Sequence, residues 1–144
     1  LPDGSEVAIE TLSVGDQIYS VDINGLALNQ TRDEEFAWTS ENLITTPNPT
    51  TVVQIVPSEV TELISINNGL LDATWYHLQM VKRNGLWRIM EFRDIDLNDK
   101  LIDKDGNIVN VDTIETIARN ATVYKLDVEA RDVYYANNIL THNK

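Results

Sequence analysis

Short runs in which apolar and polar residues alternate make up much of the chain. Such runs lie at residues 6–12, 17–23, 108–117 and 121–129. A period of two residues places the apolar side chains on one face of a β-strand. The Asn-Gly pairs at residues 24–25 and 84–85 favour tight hairpin turns. The pattern predicts an all-β fold of roughly ten or more short strands with little helix.

Runs rich in β-branched and aromatic residues extend this prediction. Residues 51–56 and 60–66 are predicted as two separate strands, and residues 132–140 as the last strand pair. Residues 92–97 are predicted to form a short helical turn. Leu26 and Leu28 are predicted to begin a strand that returns from the turn at residues 24–25.

Residues 29–50 are the least regular part of the sequence. They include an acidic cluster at residues 33–35 and the sequence Pro-Asn-Pro at residues 47–49, which interrupts regular structure. We expect a surface loop or small insertion here, within a single domain that spans residues 1–144.

Composition narrows the classes of function. The 144 residues are 42% hydrophobic, which is enough for one domain with a buried core. Lys and Arg number 11 against 23 Asp and Glu, and this net charge of -12 argues against nucleic-acid binding, which needs a basic surface. No apolar run approaches the about 20 residues of a membrane span, so no membrane partner is expected.

The C-terminal sequence offers an unusual chemistry. The side-chain amide nitrogen of Asn143 can attack its own main-chain carbonyl, close a five-membered imide and cut the bond that follows. His142 is placed to polarise that carbonyl or to pass a proton to the leaving amine. The alternative reading is a frayed polar tail, which many C-termini are.

Thr74 and His77 form a second candidate pair, in the sequence Thr-Trp-Tyr-His. At a turn, the hydroxyl could hold a carbonyl while the imidazole moves a proton to or from an amide nitrogen. The alternative is that His77 is a structural residue at a strand end.

No metal or cofactor is expected. The chain has two His and no Cys, and no metal-ligand spacing is visible. Residues 103–107 resemble the start of a calcium loop, but the downstream glutamate is absent and a hairpin turn is favoured.

The order of these motifs resembles the Hint domain family, which holds inteins, bacterial intein-like domains and hedgehog autoprocessing domains. The matching stretches are residues 1–18 for the first block after its opening strand, 72–77 for the Thr-x-x-His block, 85–101 for the segment after it, and 123–129 with 134–143 for the two final blocks. The match covers most of the chain except about residues 29–50.

The resemblance implies a disc- or horseshoe-shaped β fold that splices or cleaves the protein that carries it. In the family, a Cys or Ser attacks the carbonyl before it, and the terminal Asn later cyclises. Thr74 and His77 would assist the upstream step, and His142 would assist cyclisation of Asn143. The implied partners are the flanking host segments, no cofactor is implied, and the length leaves no room for a homing endonuclease domain. A cytoplasmic location in a microbial or viral-host cell would be usual.

The sequence departs from the family pattern at three places. The opening strand and its nucleophile are not among these residues, which predicts a split form that takes a short complementary N-terminal fragment, or a truncated one. Lys125 and Asp132 stand where the family often has an acidic residue and a His, and Asp127 with Asp132 could compensate. Lys144 replaces the Ser, Thr or Cys that ligation requires, which favours cleavage or marks Lys144 as foreign to the domain.

Two other classes of function stay open at this point. One is an acidic, β-rich interaction module without catalytic activity, in which the His-Asn sequence is accidental. The other is a hydrolase that uses Thr74 or an Asp with His77, although no nucleophile elbow or catalytic carboxylate pair is visible.

Overall fold

The computed structural model describes residues 11–26, 32–128 and 133–142, apart from the side chains of Arg32 and Asp127. The elements in these ranges are β1 (Gln17–Ile18), β2 (Val21–Ile23), α1 (Arg32–Ala37), β3 (Thr39–Ser40), β4 (Thr45–Pro47), β5 (Thr50–Ile66), β6 (Leu71–Ala73), β7 (Leu78–Arg83), β8 (Leu86–Glu91), β9 (Lys100–Ile102), β10 (Ile108–Asn110), β11 (Ile114–Val128), β12 (Val133–Ala136) and β13 (Ile139–His142). A 3₁₀ turn at Phe92–Asp94 lies inside the helical turn predicted for residues 92–97. The predicted all-β fold class with little helix is confirmed.

The longest feature is an antiparallel ribbon of β5 and β11, which have 17 and 15 residues. Their pairing runs from Ile114 opposite Ile66 to Val128 opposite Val52, with a register shift between Ala118 and Ala121. The prediction of separate strands at 51–56 and 60–66 is therefore wrong. Pro57 does not end β5. Among the described residues, β11 is the partner strand at Pro57, and a residue without an N–H group is tolerated where one side of a strand is unpaired.

A second sheet holds the C-terminal strands in the order β10-β9-β7-β13-β12, and β8 and β3 extend it from β7. The turn from β7 to β8 uses Asn84 and Gly85 with φ of 52° and 80°, as the Asn-Gly pair predicts. The turn from β12 to β13 uses Asn137 and Asn138 with φ of 46° and 64°. Two positive φ angles in a two-residue turn match the twist of a hairpin, and this turn brings β13 back against β7.

Core side chains cover both faces of the second sheet. Val81 of β7 and Ile139 of β13 pack in one cluster, whereas Leu78 and Leu140 pack in another on the opposite face. Successive residues of a strand point to opposite faces, so Thr141 shares a face with Ile139 and His142 shares a face with Leu140.

Residues 29–50 were expected to form a surface loop or small insertion, and the described part, residues 32–50, contains regular elements. This part contains α1, β3 and β4, and its Phe36 and Trp38 pack against the Leu78 cluster. Trp38 Nε1 also donates a hydrogen bond to the Gly25 carbonyl at 3.1 Å. A helix of six residues is too short to show a helical period in sequence. Residues 29–31 lie outside the described ranges.

The turn at residues 24–25 is present, with Leu26 N donating to Ile23 O at 3.1 Å. The described partner of β2 is β4, through Val21 opposite Pro47, and the predicted return strand at Leu28 lies outside the described residues. The turn predicted at residues 103–107 joins β9 to β10, and Asp103 Oδ1 accepts hydrogen bonds from two main-chain N–H groups within it. No described helix has the length and apolar character that a bilayer span requires.

Candidate active site at the pairing of strands β7 and β13

His77 lies one residue before β7 and directly contacts the last strand. In the pairing of these strands Gln79 faces Thr141, and His77 shares a face with Gln79 because the two are two positions apart. The Nε2 atom of His77 lies 2.7 Å from Oγ1 of Thr141. A residue of the predicted upstream site is therefore tied to the strand that carries the predicted downstream site.

The hydrogen bonds continue beyond Thr141 into the interior. Thr141 Oγ1 donates to Gln79 Oε1 at 2.7 Å, and Gln79 Nε2 donates to the Leu140 carbonyl at 2.7 Å and to the Met80 carbonyl at 3.3 Å. Thr141 and Gln79 are 1% and 0% exposed. Buried polar side chains are stable when such partners replace water.

The environment of His77 favours the neutral imidazole. Its ring packs edge-on against Phe92, with ring centroids 5.3 Å apart. Burial, followed by the charge of His142, lowers the pKa of His77 from 6.5 to about 4. Neutral imidazole at pH 7 carries one free lone pair, which can accept a proton.

Thr74 reaches the same region through a tight turn. His77 N donates to Thr74 O at 3.1 Å, and Phe92 N donates to His77 O at 2.8 Å. The second bond anchors the turn against the end of β8. Among the described residues, none hydrogen-bonds the half-buried Thr74 hydroxyl, which leaves that group available to a substrate carbonyl.

His142 is buried on the opposite face of the sheet, at 2% exposure. Its Nε2 lies 3.1 Å from Oε2 of Glu35, a residue of α1 that is 3% exposed. Within the described ranges, Nδ1 of His142 has no hydrogen-bond partner. The histidine before Asn143 thus lies 3.1 Å from a carboxylate of the segment that was expected to be a surface loop or small insertion.

The two histidines therefore lie on the two faces of one strand pair. His77 binds Thr141 on one face, and His142 meets Glu35 on the other. The charge of His142 still acts on His77, because it contributes to lowering the pKa of that residue. Asn143 directly follows His142 in the sequence and lies outside the described residues.

The predicted supporting residues are not joined to this site by the described contacts. Lys125 is exposed on β11 opposite Val56, and among the described residues no hydrogen bond or ion pair connects it to either histidine. The backbone of Asp127 pairs with Gln54, and its side chain lies outside the described part. Asp132 also lies outside it.

The sequence interpretation missed Glu35, Gln79 and Thr141. Two local signals point to the last two: Gln79 follows His77 by two residues in a predicted strand, and Thr141 is a polar residue inside an apolar run. Glu35 has no such local signal, since its partner is 107 residues away. No set of three or more His, Cys, Asp or Glu suited to a metal ion is present in the described ranges.

Comparison with solved structures assigns the fold. A bacterial intein-like domain from Clostridium thermocellum matches with a TM-score of 0.70 and 23% identity, covering 95% of this chain and 88% of that one. A DnaB intein from Synechocystis sp. PCC 6803 matches with a TM-score of 0.64 and 15% identity, over 98% and 89% of the two chains. This chain has the intein fold. No family model and no curated protein matches the sequence.

The intein fold extends over nearly the whole chain in these comparisons. An intein from a hyperthermophile adds a match at 18% identity and a TM-score of 0.57, over 90% of this chain and 97% of that one. The Hint-type fold expected from the order of the motifs is therefore confirmed. At these identities the likeness concerns the fold, so the reaction has to follow from the residues at the β7–β13 pairing.

Proposed function

We propose that this domain processes its own polypeptide, by an acyl shift at an upstream junction and by cyclisation of Asn143 at the downstream junction. The observation that carries the proposal is the 2.7 Å contact between His77 and Thr141. It joins the Thr-x-x-His turn to the strand that leads into His142 and Asn143.

In the upstream step, a hydroxyl or thiol attacks the carbonyl of the residue that precedes it. Neutral His77 accepts the proton of the nucleophile as the new carbon–oxygen or carbon–sulfur bond forms. The amide C–N bond then breaks, and the proton passes from His77 to the departing nitrogen. We propose that a segment before residue 1 or a short complementary fragment supplies the nucleophile.

Thr74 acts in the same step on the carbonyl oxygen. Negative charge develops on that oxygen in the tetrahedral intermediate, and a hydroxyl donor aimed at it lowers the barrier. No described residue forms a hydrogen bond with the Thr74 hydroxyl, which supports this role. The turn that bonds His77 N to Thr74 O keeps the two groups together.

In the downstream step, the side-chain nitrogen of Asn143 attacks its own carbonyl carbon. The nitrogen gives up a proton, the imide ring closes, and the bond to residue 144 breaks as the leaving amine takes a proton. We propose that His142 carries this proton and that Glu35 fixes the position of its ring. The 3.1 Å approach of Glu35 to His142 in a buried setting supports the second role.

The identity of residue 144 determines the outcome that we propose. Ligation needs a hydroxyl or thiol after Asn143, and Lys144 supplies neither. With Lys at this position the reaction is scission after Asn143, followed by slow hydrolysis of the imide. The implied partners are the host segments on both sides of the domain, and each molecule reacts once.

A reporter fusion tests the proposal. A reporter protein is joined after Lys144, and its release is followed by gel electrophoresis for the wild type and for Asn143→Ala. We expect release from the wild type and none from Asn143→Ala, because alanine has no side-chain nucleophile. Equal release from both would identify ordinary proteolysis, and the absence of release from both would contradict the downstream step.

A further inference from the structure

Hydrogen bonds connect His77 through Thr141 and Gln79 to the main-chain carbonyl of Leu140. That carbonyl determines which group donates in each of them. A carbonyl oxygen can only accept, so the Gln79 nitrogen must donate to Leu140 O at 2.7 Å. The Met80 carbonyl, 3.3 Å from the same nitrogen, requires the same orientation. The amide oxygen of Gln79 therefore faces Thr141.

That oxygen can also only accept a hydrogen bond. Its partner at 2.7 Å is the Thr141 hydroxyl, so the hydroxyl hydrogen points to Gln79. Toward His77 the hydroxyl oxygen then presents lone pairs alone. Because His77 Nε2 lies 2.7 Å from it, this ring nitrogen must carry a hydrogen and donate.

A neutral imidazole carries one hydrogen on its two ring nitrogens, and the Thr141 contact places this hydrogen on Nε2. We infer that Gln79 and Thr141 are positioning residues that hold His77 in the Nε2–H tautomer and leave the lone pair on Nδ1. Nδ1 is then the atom that accepts the proton of the nucleophile and returns it to the departing nitrogen. The role of Nδ1 rests on the proposed function, whereas the tautomer follows from the hydrogen bonds alone.

Burial makes this control effective. Gln79 and Thr141 are almost completely inaccessible, so water cannot replace either partner and release the tautomer. With the hydrogen on Nδ1 instead, two acceptors, His77 Nε2 and Gln79 Oε1, would compete for the one hydroxyl hydrogen of Thr141. Protonation of His77 adds a hydrogen at Nδ1 and keeps Nε2–H, so the hydrogen bonds persist in both charge states.

Nitrogen NMR of the ¹⁵N-labelled chain measures the tautomer directly, because protonated and unprotonated ring nitrogens resonate far apart. The measurement is made near pH 7, well above the pKa of about 4 of His77. We expect the wild type to show a protonated Nε2 and an unprotonated Nδ1. A wild-type spectrum with the hydrogen on Nδ1 overturns the inference, whatever the variants do.

Three variants separate positioning from simple packing. Thr141→Ser keeps the hydroxyl and should keep the tautomer. Thr141→Val keeps the shape and removes the hydroxyl, so the ratio of Nε2–H to Nδ1–H should fall about 2- to 10-fold, the worth of one hydrogen bond. Gln79→Leu frees the hydroxyl hydrogen to turn toward Nε2, so the preference should move to Nδ1–H. An unchanged ratio in folded Thr141→Val and Gln79→Leu overturns the inference.

The outcomes for the tautomer and for the proposed function are distinguishable. If the spectra are as expected but upstream cleavage does not depend on His77, the tautomer assignment stands and the proposed upstream step fails. If upstream cleavage depends on His77 while the wild-type tautomer is Nδ1–H, the proposed step stands and the positioning role fails.

Discussion

Glu35 and His142 bury their side chains against each other, with Oε2 and Nε2 3.1 Å apart, although 106 residues lie between them in the sequence. Helix α1 therefore supplies a carboxylate to the strand that ends the described chain. Taking an ionised carboxylate out of water is costly unless a partner compensates for it. The burial of Glu35 therefore makes this carboxylate a candidate for a role in function.

Glu35→Gln should slow scission after Asn143 and leave some activity. The amide keeps the size of the side chain but cannot balance a positive charge on His142 during proton transfer. The loss should be smaller than that of removing His142 itself, which is expected to lie in the about 10²- to 10⁴-fold range of general acid–base catalysis. Rates of reporter release measure it. Asp33→Asn, a change at an exposed acidic residue of the same helix, is the matched control and should react at the wild-type rate.

Variants at His142 and at Asn143 should affect scission in different ways. His142→Ala should retain slow scission, because imide closure within Asn143 still benefits from built-in proximity. Asn143→Asp should react slowly at most, since a carboxylate attacks by a different route. Single-turnover rates of reporter release compare the two. Abolition of release by His142→Ala, with Asn143→Asp fully active, would be incompatible with the assigned roles.

The Thr-x-x-His turn should affect cleavage at the upstream junction and leave cleavage at the downstream junction unchanged. Thr74→Ala and His77→Ala should leave scission after Asn143 near the wild-type rate, because both groups act on the upstream carbonyl and amide. The opposite faces occupied by His77 and His142 give this separation a structural basis. If either variant slowed release of the downstream reporter as much as His142→Ala does, the assignment of Thr74 and His77 to the upstream junction alone would be wrong.

The stability of the domain should depend on pH through His77. The pKa of this residue is lowered from 6.5 to about 4 in the folded protein, so the unfolded chain binds more protons between these values. The contribution of neutral His77 to the free energy of unfolding is complete above pH 6.5 and is lost as the pH falls toward 4. A shift of this size corresponds to roughly 3 kcal/mol at most. Urea unfolding at several pH values measures it, and His77→Gln should show a smaller loss of stability over the same range.

Local chemistry made part of the fold predictable from the sequence. Asn84 and Gly85 determine their turn by themselves, because both residues accept the positive φ angles that a tight hairpin needs. The alternation at residues 17–23 likewise predicts strand structure, which the protein divides into β1 and β2 in two different sheets. The ribbon of β5 and β11 was not predictable in this way, since Pro57 resembles a break and only the distant partner β11 shows that the strand continues.

The same distinction holds for the candidate site. Thr74, His77 and His142 stand out because their residue types and order resemble a known family. Glu35, Gln79 and Thr141 act through partners that tertiary structure brings to them, and an acidic or polar residue alone does not announce such a partner. Glu35 in particular belongs to an acidic cluster whose other described members are exposed.

The mass of the released domain tests the central claim most directly. Cyclisation removes the leaving chain without adding water, so the product ending at residue 143 should first appear one water lighter than the hydrolysed form. Intact mass spectrometry at the earliest time points of the reporter reaction should detect this imide, and the heavier species should grow from it later. A product that carries the added water from the first time point, or scission at any other bond, would contradict cyclisation of Asn143.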